Sequence, residues 1–231
     1  MDVSGFTRPH APDAARMKST PIMSRMIKMI KSVSCDQIEI LKSITELCGI
    51  ERFCADVTYG NGKFYDNGQI EDPVFKFDIS PQVEGVTACC STNLALNDGQ
   101  IKSLVFDPPF LTYVRAAREG NGNMVMAKRF GGYWKYGELE KHYRETIIEA
   151  HRVLGKKGIM VFKCQDIIHN HKMHCTHMNV MEWSKGMFRL KDLFILPAKS
   201  RMAIPQQAGT KKKVQKHARI FHSYFMVLER M

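Results

Sequence analysis

Apolar residues recur at helical spacing at Ile38, Leu41, Ile44 and Leu47, and Gly49 follows them. Ahead of them, Ser34 with Gln37 three residues on reads as a capping box, so a helix is predicted from there to Gly49. Residues 52–57, 74–79 and 86–90 are short apolar or alternating runs and predict three strands. The run IKSLVF at residues 101–106 predicts a fourth, buried on both faces. A long polar and aromatic stretch, roughly residues 111–137, then reads as a loop. Leu139, Tyr143, Ile147, Ala150 and Leu154 share one helical face, which predicts a helix over residues 138–154, ending at Gly155-Lys-Lys-Gly158. Residues 159–163 read as a fifth strand, 180–187 as a helix, and 193–196 and 223–228 as two more strands. Strands alternating with helices predict an α/β fold with a mostly parallel, doubly wound sheet. Neither internal repeats nor a second domain is visible.

Ahead of this body, residues 1–33 read as a tail that is disordered or binds a partner. Pro9, Pro12 and Pro21 interrupt it, and a Met/Ile cluster fills residues 22–30. No run of about 18 apolar residues exists, so no membrane span is predicted. The first residues lack the apolar core of a signal peptide, so the protein is not expected to be secreted. Seven cysteines in no framework spacing fit a reducing compartment, cytoplasmic or nucleoid-associated. The net charge of +11 changes the picture most, because such a surface attracts polyanions at long range. Nucleic acid is the expected partner.

The candidate chemistry begins at Asp107-Pro-Pro-Phe110, directly after the fourth predicted strand. Neither proline has an N–H to give, so the chain must leave the sheet there. Their fixed φ makes a carboxylate, a free carbonyl and an aromatic ring project in one rigid geometry. In open α/β sheets, ligands bind at the carboxyl ends of the strands. A second cluster, Asp56-Val-Thr-Tyr-Gly60-Asn-Gly62, closes the first strand. Its two glycines allow a backbone to approach a ligand closely. Asp78 ends the second strand, and a carboxylate can accept from two hydroxyls at once.

Asp107 to Phe110 resembles the (D/N/S)PP(Y/F/W) signature of the S-adenosylmethionine-dependent amino-methyltransferases, which methylate exocyclic nitrogens of bases. The Asp56 to Gly62 segment resembles that family's cofactor loop, D-x-x-x-G-x-G. The order of glycine loop, ribose acid and DPPF matches members whose cofactor half precedes the catalytic half. The resemblance runs from about residue 52 to residue 230. It implies a Rossmann-like sheet closed by a C-terminal antiparallel hairpin, with S-adenosyl-L-methionine as cofactor. It assigns cofactor contacts to Asp56, Thr58, Tyr59, Gly60 and Gly62, and the ribose to Asp78. The family commonly carries an acid after the third strand; here Cys90 and Ser91 stand in its place, and a thiol is a poor acceptor.

The resemblance also implies a mechanism. Asp107 and the Pro108 carbonyl would accept the two N–H bonds of the amine, Pro109 would keep the turn rigid, and Phe110 would stack on the base. An aspartate in the first position is the family's usual sign of adenine N6, and DNA is the expected target, with RNA as the alternative. A duplex base must leave its stack to reach such a pocket. Tyr113, Arg115, Lys128, Arg129, Tyr133 and Trp134 in the long loop interleave aromatic and basic residues, as stacked bases and phosphates require. Lys211, Lys212 and Lys213 belong to a basic arm between the last two strands. A chain this short has no room for a large recognition domain, so a homodimer or an accessory specificity subunit stays open. A catalytically weak nucleic-acid-binding module of the same fold is the reading from another class.

His169, His171, His174, Cys175 and His177 crowd one window, but their spacing matches no standard zinc site, so no metal is expected. They read as a polar loop after the fifth strand. Cys89 and Cys90 read as small buried side chains rather than a disulfide.

Overall fold

A computed structural model describes residues 29–65, 68–110, 112, 133, 135–198 and 216–231, and the body runs over Lys31–Met231. In chain order it contains α1 (Gln37–Cys48), β1 (Ala55–Asp56), a 3₁₀ turn (Lys63–Tyr65), β2 (Phe75–Asp78), β3 (Thr87–Ala88) and β4 (Ile101–Phe106). There follow α2 (Tyr136–Val153), β5 (Leu154–Cys164), β6 (Ile167–His169), β7 (Lys172–His174), α3 (Thr176–Trp183), β8 (Phe188–Pro197) and β9 (His222–Arg230).

Seven strands form one sheet in the order β3-β2-β1-β4-β5-β9-β8. The first five are parallel, while β9 runs antiparallel to both β5 and β8. This is the Rossmann-like α/β sheet expected from the sequence, with the antiparallel closing pair in place. The order of strands reverses between β1 and β4, and beyond the carboxyl ends of strands at such a point an open α/β sheet has its ligand crevice.

Alternation along the strands distributes the core to both faces. Leu104 and Phe106 of β4, Met160, Phe162 and Cys164 of β5, and Met226 and Leu228 of β9 join Leu139, Tyr143, Ile147 and Ala150 of α2 in one cluster. Each fully buried Leu or Phe there contributes about 1.5–3 kcal/mol. Lys163 points to the other face, where its ammonium meets Gln37 on α1, so α1 lies opposite α2. That second face buries Ile40, Leu41 and Ile44 of α1 with Phe53, Val105, Val161 and Phe225.

Several boundaries differ from the sequence reading, each for a local reason. Asp36, not Ser34, caps α1: its carboxylate accepts from Ile38 N at 2.8 Å, while Ser34 Oγ accepts from Asp36 N. Gln37 does not close a capping box; its amide reaches across to the Phe64 carbonyl at 2.8 Å. Gly49, at φ 62, ends the helix as expected. The fifth strand, expected over residues 159–163, starts earlier and takes in segment 155–158, and its register against β4 shifts across it. At the end of the expected tail, Val33 bridges to Ile195 of β8, and the Ser32 carbonyl accepts the Ile195 N–H at 2.8 Å. Residues 1–28 of that tail lie outside the described residues. The histidine window is not a loop: His169 to His174 form a β6–β7 hairpin turned at Asn170 (φ 50) and His171 (φ 59), Cys175 is the N-cap of α3, and His177 lies in α3. The winding is lopsided: among the described residues, the connections β1–β2, β2–β3 and β3–β4 carry no α-helix. No helix of the described residues is long and apolar enough to cross a membrane.

Candidate active site

The crevice between β1 and β4 gathers the two sequence clusters. Asp56 ends β1 with no exposed surface. Its Oδ1 accepts from Thr58 N at 2.7 Å and Thr58 Oγ1 at 3.2 Å, and its Oδ2 accepts from Tyr65 Oη at 2.7 Å. Burial pushes this carboxyl up to about 7; the Tyr65 and Thr58 hydrogen bonds pull it down and the Asp107 charge pushes it further up. Burial and the neighbouring Asp56 also hold the Tyr65 phenol well above its ordinary range. Asp56 therefore braces the glycine loop from inside, and its two oxygens are spoken for.

Thr58 carries the loop across to the second cluster. Its Oγ1 accepts the Asp107 backbone N–H at 2.8 Å, which ties the start of the DPPF turn to the end of β1. The next residue, Tyr59, bonds Phe77 O through its N–H and Asp72 Oδ2 through its hydroxyl, so it locks the loop against β2. Gly60 (φ 58) gives its N–H to Asp78 Oδ2 at 2.8 Å, and Asp78 Oδ1 accepts from Ser80 N at 2.7 Å. Gly62 sits at φ 78 beneath the Tyr59 ring: a Cβ there would stand 2.6 Å from the Tyr59 hydroxyl. A Cβ at Gly60 would meet nothing within 4 Å, so the loop is open on that side.

In the DPPF turn, Pro108 is buried and Phe110 packs part of its surface on the main apolar cluster. The Pro109 carbonyl accepts from the hydroxyl of Tyr143 on α2 at 3.0 Å. Asp107 is half-buried, and its Oδ2 receives the Lys163 ammonium at 3.1 Å. Lys163 also gives a hydrogen bond to Gln37 Oε1 at 2.9 Å.

Beyond β3, Cys89 N bonds Asp78 O at 2.9 Å, which sets Cys90 and Ser91 beside the second strand's end. Cys90 Sγ pairs with Thr92 Oγ1 at 3.1 Å. Ser91 is buried and turned toward α2, where its hydroxyl meets His142 Nε2 at 2.8 Å and Thr146 Oγ1 at 2.9 Å. The other ring nitrogen of His142 meets the Tyr133 hydroxyl. Burial lowers the His142 pKa, which keeps the ring neutral between its two hydroxyl partners. Tyr133 pairs with Thr112 in an isolated bridge.

Asp56, Thr58, Tyr59, Gly60, Gly62, Asp78 and Asp107 are thus brought together at one crevice, with Cys90 and Ser91 at its far end. Tyr113, Arg115, Lys128, Arg129, Trp134, Lys211, Lys212 and Lys213 lie outside the described residues. Sequence reasoning missed Lys163, Gln37, Tyr143 and His142. Lys163 did leave a signal, a charge between Phe162 and Cys164 in an apolar strand. Among the described residues, no group of three or more His, Cys, Asp or Glu could hold a metal.

No protein-family model and no curated protein matches this chain. Among solved structures, the PH0226 protein of Pyrococcus horikoshii is similar over 83% of this chain and 88% of its own, at 13% identity and TM-score 0.44. A methyltransferase from Archaeoglobus fulgidus, described as SAM-dependent, is similar over 84% of this chain and 94% of its own, at 12% identity and TM-score 0.43. A candidate DNA modification methylase from Thermus thermophilus, solved with S-adenosyl-L-methionine, is similar over 58% of this chain at 12% identity and TM-score 0.34. This chain spans about half of that protein, 49%. The fold is read from the strand order itself.

Proposed function

We propose that this protein transfers a methyl group from S-adenosyl-L-methionine to an exocyclic amine of a nucleobase, with adenine N6 in DNA as the target. One observation carries the reading: Asp107 N–H is anchored on Thr58 Oγ1 at 2.8 Å, so the DPPF turn and the glycine loop form one crevice at the sheet's reversal point. An acceptor for the amine and a loop for the methyl donor need to lie side by side, as these do.

The residues fit the donor. The loop is open over Gly60, and Asp78 keeps lone pairs beyond those given to Gly60 and Ser80. The cofactor supplies a methyl already activated on a sulfonium. What remains for the protein is alignment, which is worth ~7–11 kcal/mol in favourable cases. The amine of adenine is a poor nucleophile, because its lone pair is delocalised into the ring. Asp107 and the Pro108 carbonyl, accepting its two N–H bonds, draw the nitrogen toward tetrahedral geometry and localise that pair. As the nitrogen–methyl bond formed, the sulfur–methyl bond would break and S-adenosyl-L-homocysteine would leave, while Asp107 or water would take the proton from the nitrogen. The net charge of +11 supplies the attraction for a polyanionic substrate.

The test is transfer of labelled methyl to unmethylated genomic DNA and to total RNA, followed by nucleoside analysis, for wild type and Asp107→Ala. N6-methyldeoxyadenosine from wild type alone, with nucleic-acid affinity kept by the variant, is the expected result. N6-methyladenosine from RNA moves the target to RNA. Label in neither, with both proteins binding nucleic acid equally, points to the binding module; the Ser91 hydroxyl turned toward α2 and the Cys90 thiol paired with Thr92 favour that second reading.

A further inference from the structure

Lys163 stands between two fully buried residues, Phe162 and Cys164, and its own side chain is only 12% exposed. Its ammonium lies 3.1 Å from Asp107 Oδ2 and 2.9 Å from Gln37 Oε1. It also lies 5.1 Å from the Phe64 ring centroid and 5.4 Å from that of Phe225. Ring faces attract a cation, so these four contacts together hold the end of a flexible four-carbon stem in one place.

Asp107 is held from two other directions. Its N–H is bound to Thr58 Oγ1, and the proline that follows restricts its backbone to extended conformations. With Oδ2 taken by Lys163, no described residue bonds Oδ1. A carboxylate pinned by its backbone and by one oxygen cannot turn without losing a charged hydrogen bond. Asp56 ends the neighbouring strand, and the Asp107 charge helps to push its carboxyl up.

We propose that Lys163 is a positioning residue: it tethers Asp107 by Oδ2 so that Oδ1 stays presented to the amine N–H of the target base. Gln37 holds the lysine in turn, which brings α1, on the far side of the strand, into the placement of the acceptor. This rests on the reading of Asp107 as the amine acceptor.

The experiment is a double-mutant cycle of Lys163→Met with Asp107→Asn, read as kcat and cofactor KM for methyl transfer to DNA and RNA. Lys163→Met alone is expected to lower kcat by ~100-fold, the scale of a misplaced reacting group, with cofactor KM unchanged. Lys163→Arg restores part of the loss. In the Asp107→Asn background, Lys163→Met costs nothing further, because there is no carboxylate left to orient. Gln37→Ala, which keeps both charges, lowers kcat in the same direction by a smaller factor and serves if Lys163→Met does not fold. Losses that multiply in the double variant, or a Gln37→Ala enzyme with unchanged kcat, overturn the proposal. A wild type that methylates no nucleobase removes the reading of Asp107 and this inference with it.

Discussion

Replacing Asp56 by asparagine isolates the cost of a carboxylate buried under the glycine loop. The group has no exposed surface and accepts three hydrogen bonds, from Thr58 N, Thr58 Oγ1 and Tyr65 Oη. Burial outweighs those bonds and raises it from an ordinary 3.8 to about 7. The unfolded chain therefore releases this proton near pH 4, whereas the folded protein keeps it until near pH 7. Across that window the folded state binds more protons, so stability falls as pH rises. At 1.36 kcal/mol per pH unit, the loss is roughly 4 kcal/mol over the window, with none below or above it. Asparagine does not titrate. Its carbonyl still accepts from Thr58, and its amide donates to a Tyr65 hydroxyl that turns from donor to acceptor. Urea unfolding of both proteins between about pH 4 and pH 7.5, at constant ionic strength, gives the difference directly. Wild-type stability minus variant stability should fall by roughly 4 kcal/mol across the series, with most of the change below pH 7. Parallel curves for the two proteins would refute the argument, because they would mean the buried carboxyl titrates alike folded and unfolded.

Gly62→Ala should destabilise by about 1–2 kcal/mol and weaken cofactor binding, because its φ of 78 is unfavourable to a side chain and its Cβ would press on the Tyr59 hydroxyl. Gly60→Ala has the same backbone cost but open space around it, so denaturation should rank it as the milder change; the reverse order would contradict the packing described. Arg152→Ala should cost about 2 kcal/mol, since it strips Glu149 of two hydrogen bonds and leaves the Leu94 N–H as its described partner. Burial works to raise the Glu149 carboxyl, yet the Arg152 and Leu94 hydrogen bonds leave it below its ordinary value. Its stabilisation is thus present above that value and lost as pH falls through the lower folded one, and the wild-type advantage over Arg152→Ala should shrink toward pH 3 in the same unfolding assay.

The strand carrying DPPF and the loop carrying Gly60 and Gly62 were legible because their evidence is local. An apolar run, two prolines that must leave a sheet and glycines at a strand end report their geometry within a few residues. Asp36 displaced Ser34 as the cap, and both side chains are of the type that can serve. The β6–β7 turn was missed although Asn170 is a residue that tolerates positive φ; strands of three residues are too short to show alternation, so the window read as a polar loop. The helix-free connections on the β1–β3 side were legible too, since no helical spacing of apolar residues falls between the first four strands. Lys163 meets Asp107 across 56 positions and Gln37 across 126, and no spacing rule reaches that far.

The placement of β9 has a consequence for how the sheet is assembled. It follows every other strand in the chain, yet lies between β5 and β8 and pairs with both through most of its length. Until β9 arrives, β5 presents an open hydrogen-bonding edge beside Met160 and Phe162, and β8 has no strand to join. Completion of the sheet therefore requires β9 to satisfy two edges, β5 on one side and β8 on the other. Such late, long-range pairing folds slowly and leaves the open edge exposed to other chains in the meantime. At high concentration the β9 of a second molecule fits the same gap, which makes strand exchange between two copies the characteristic misassembly of this topology.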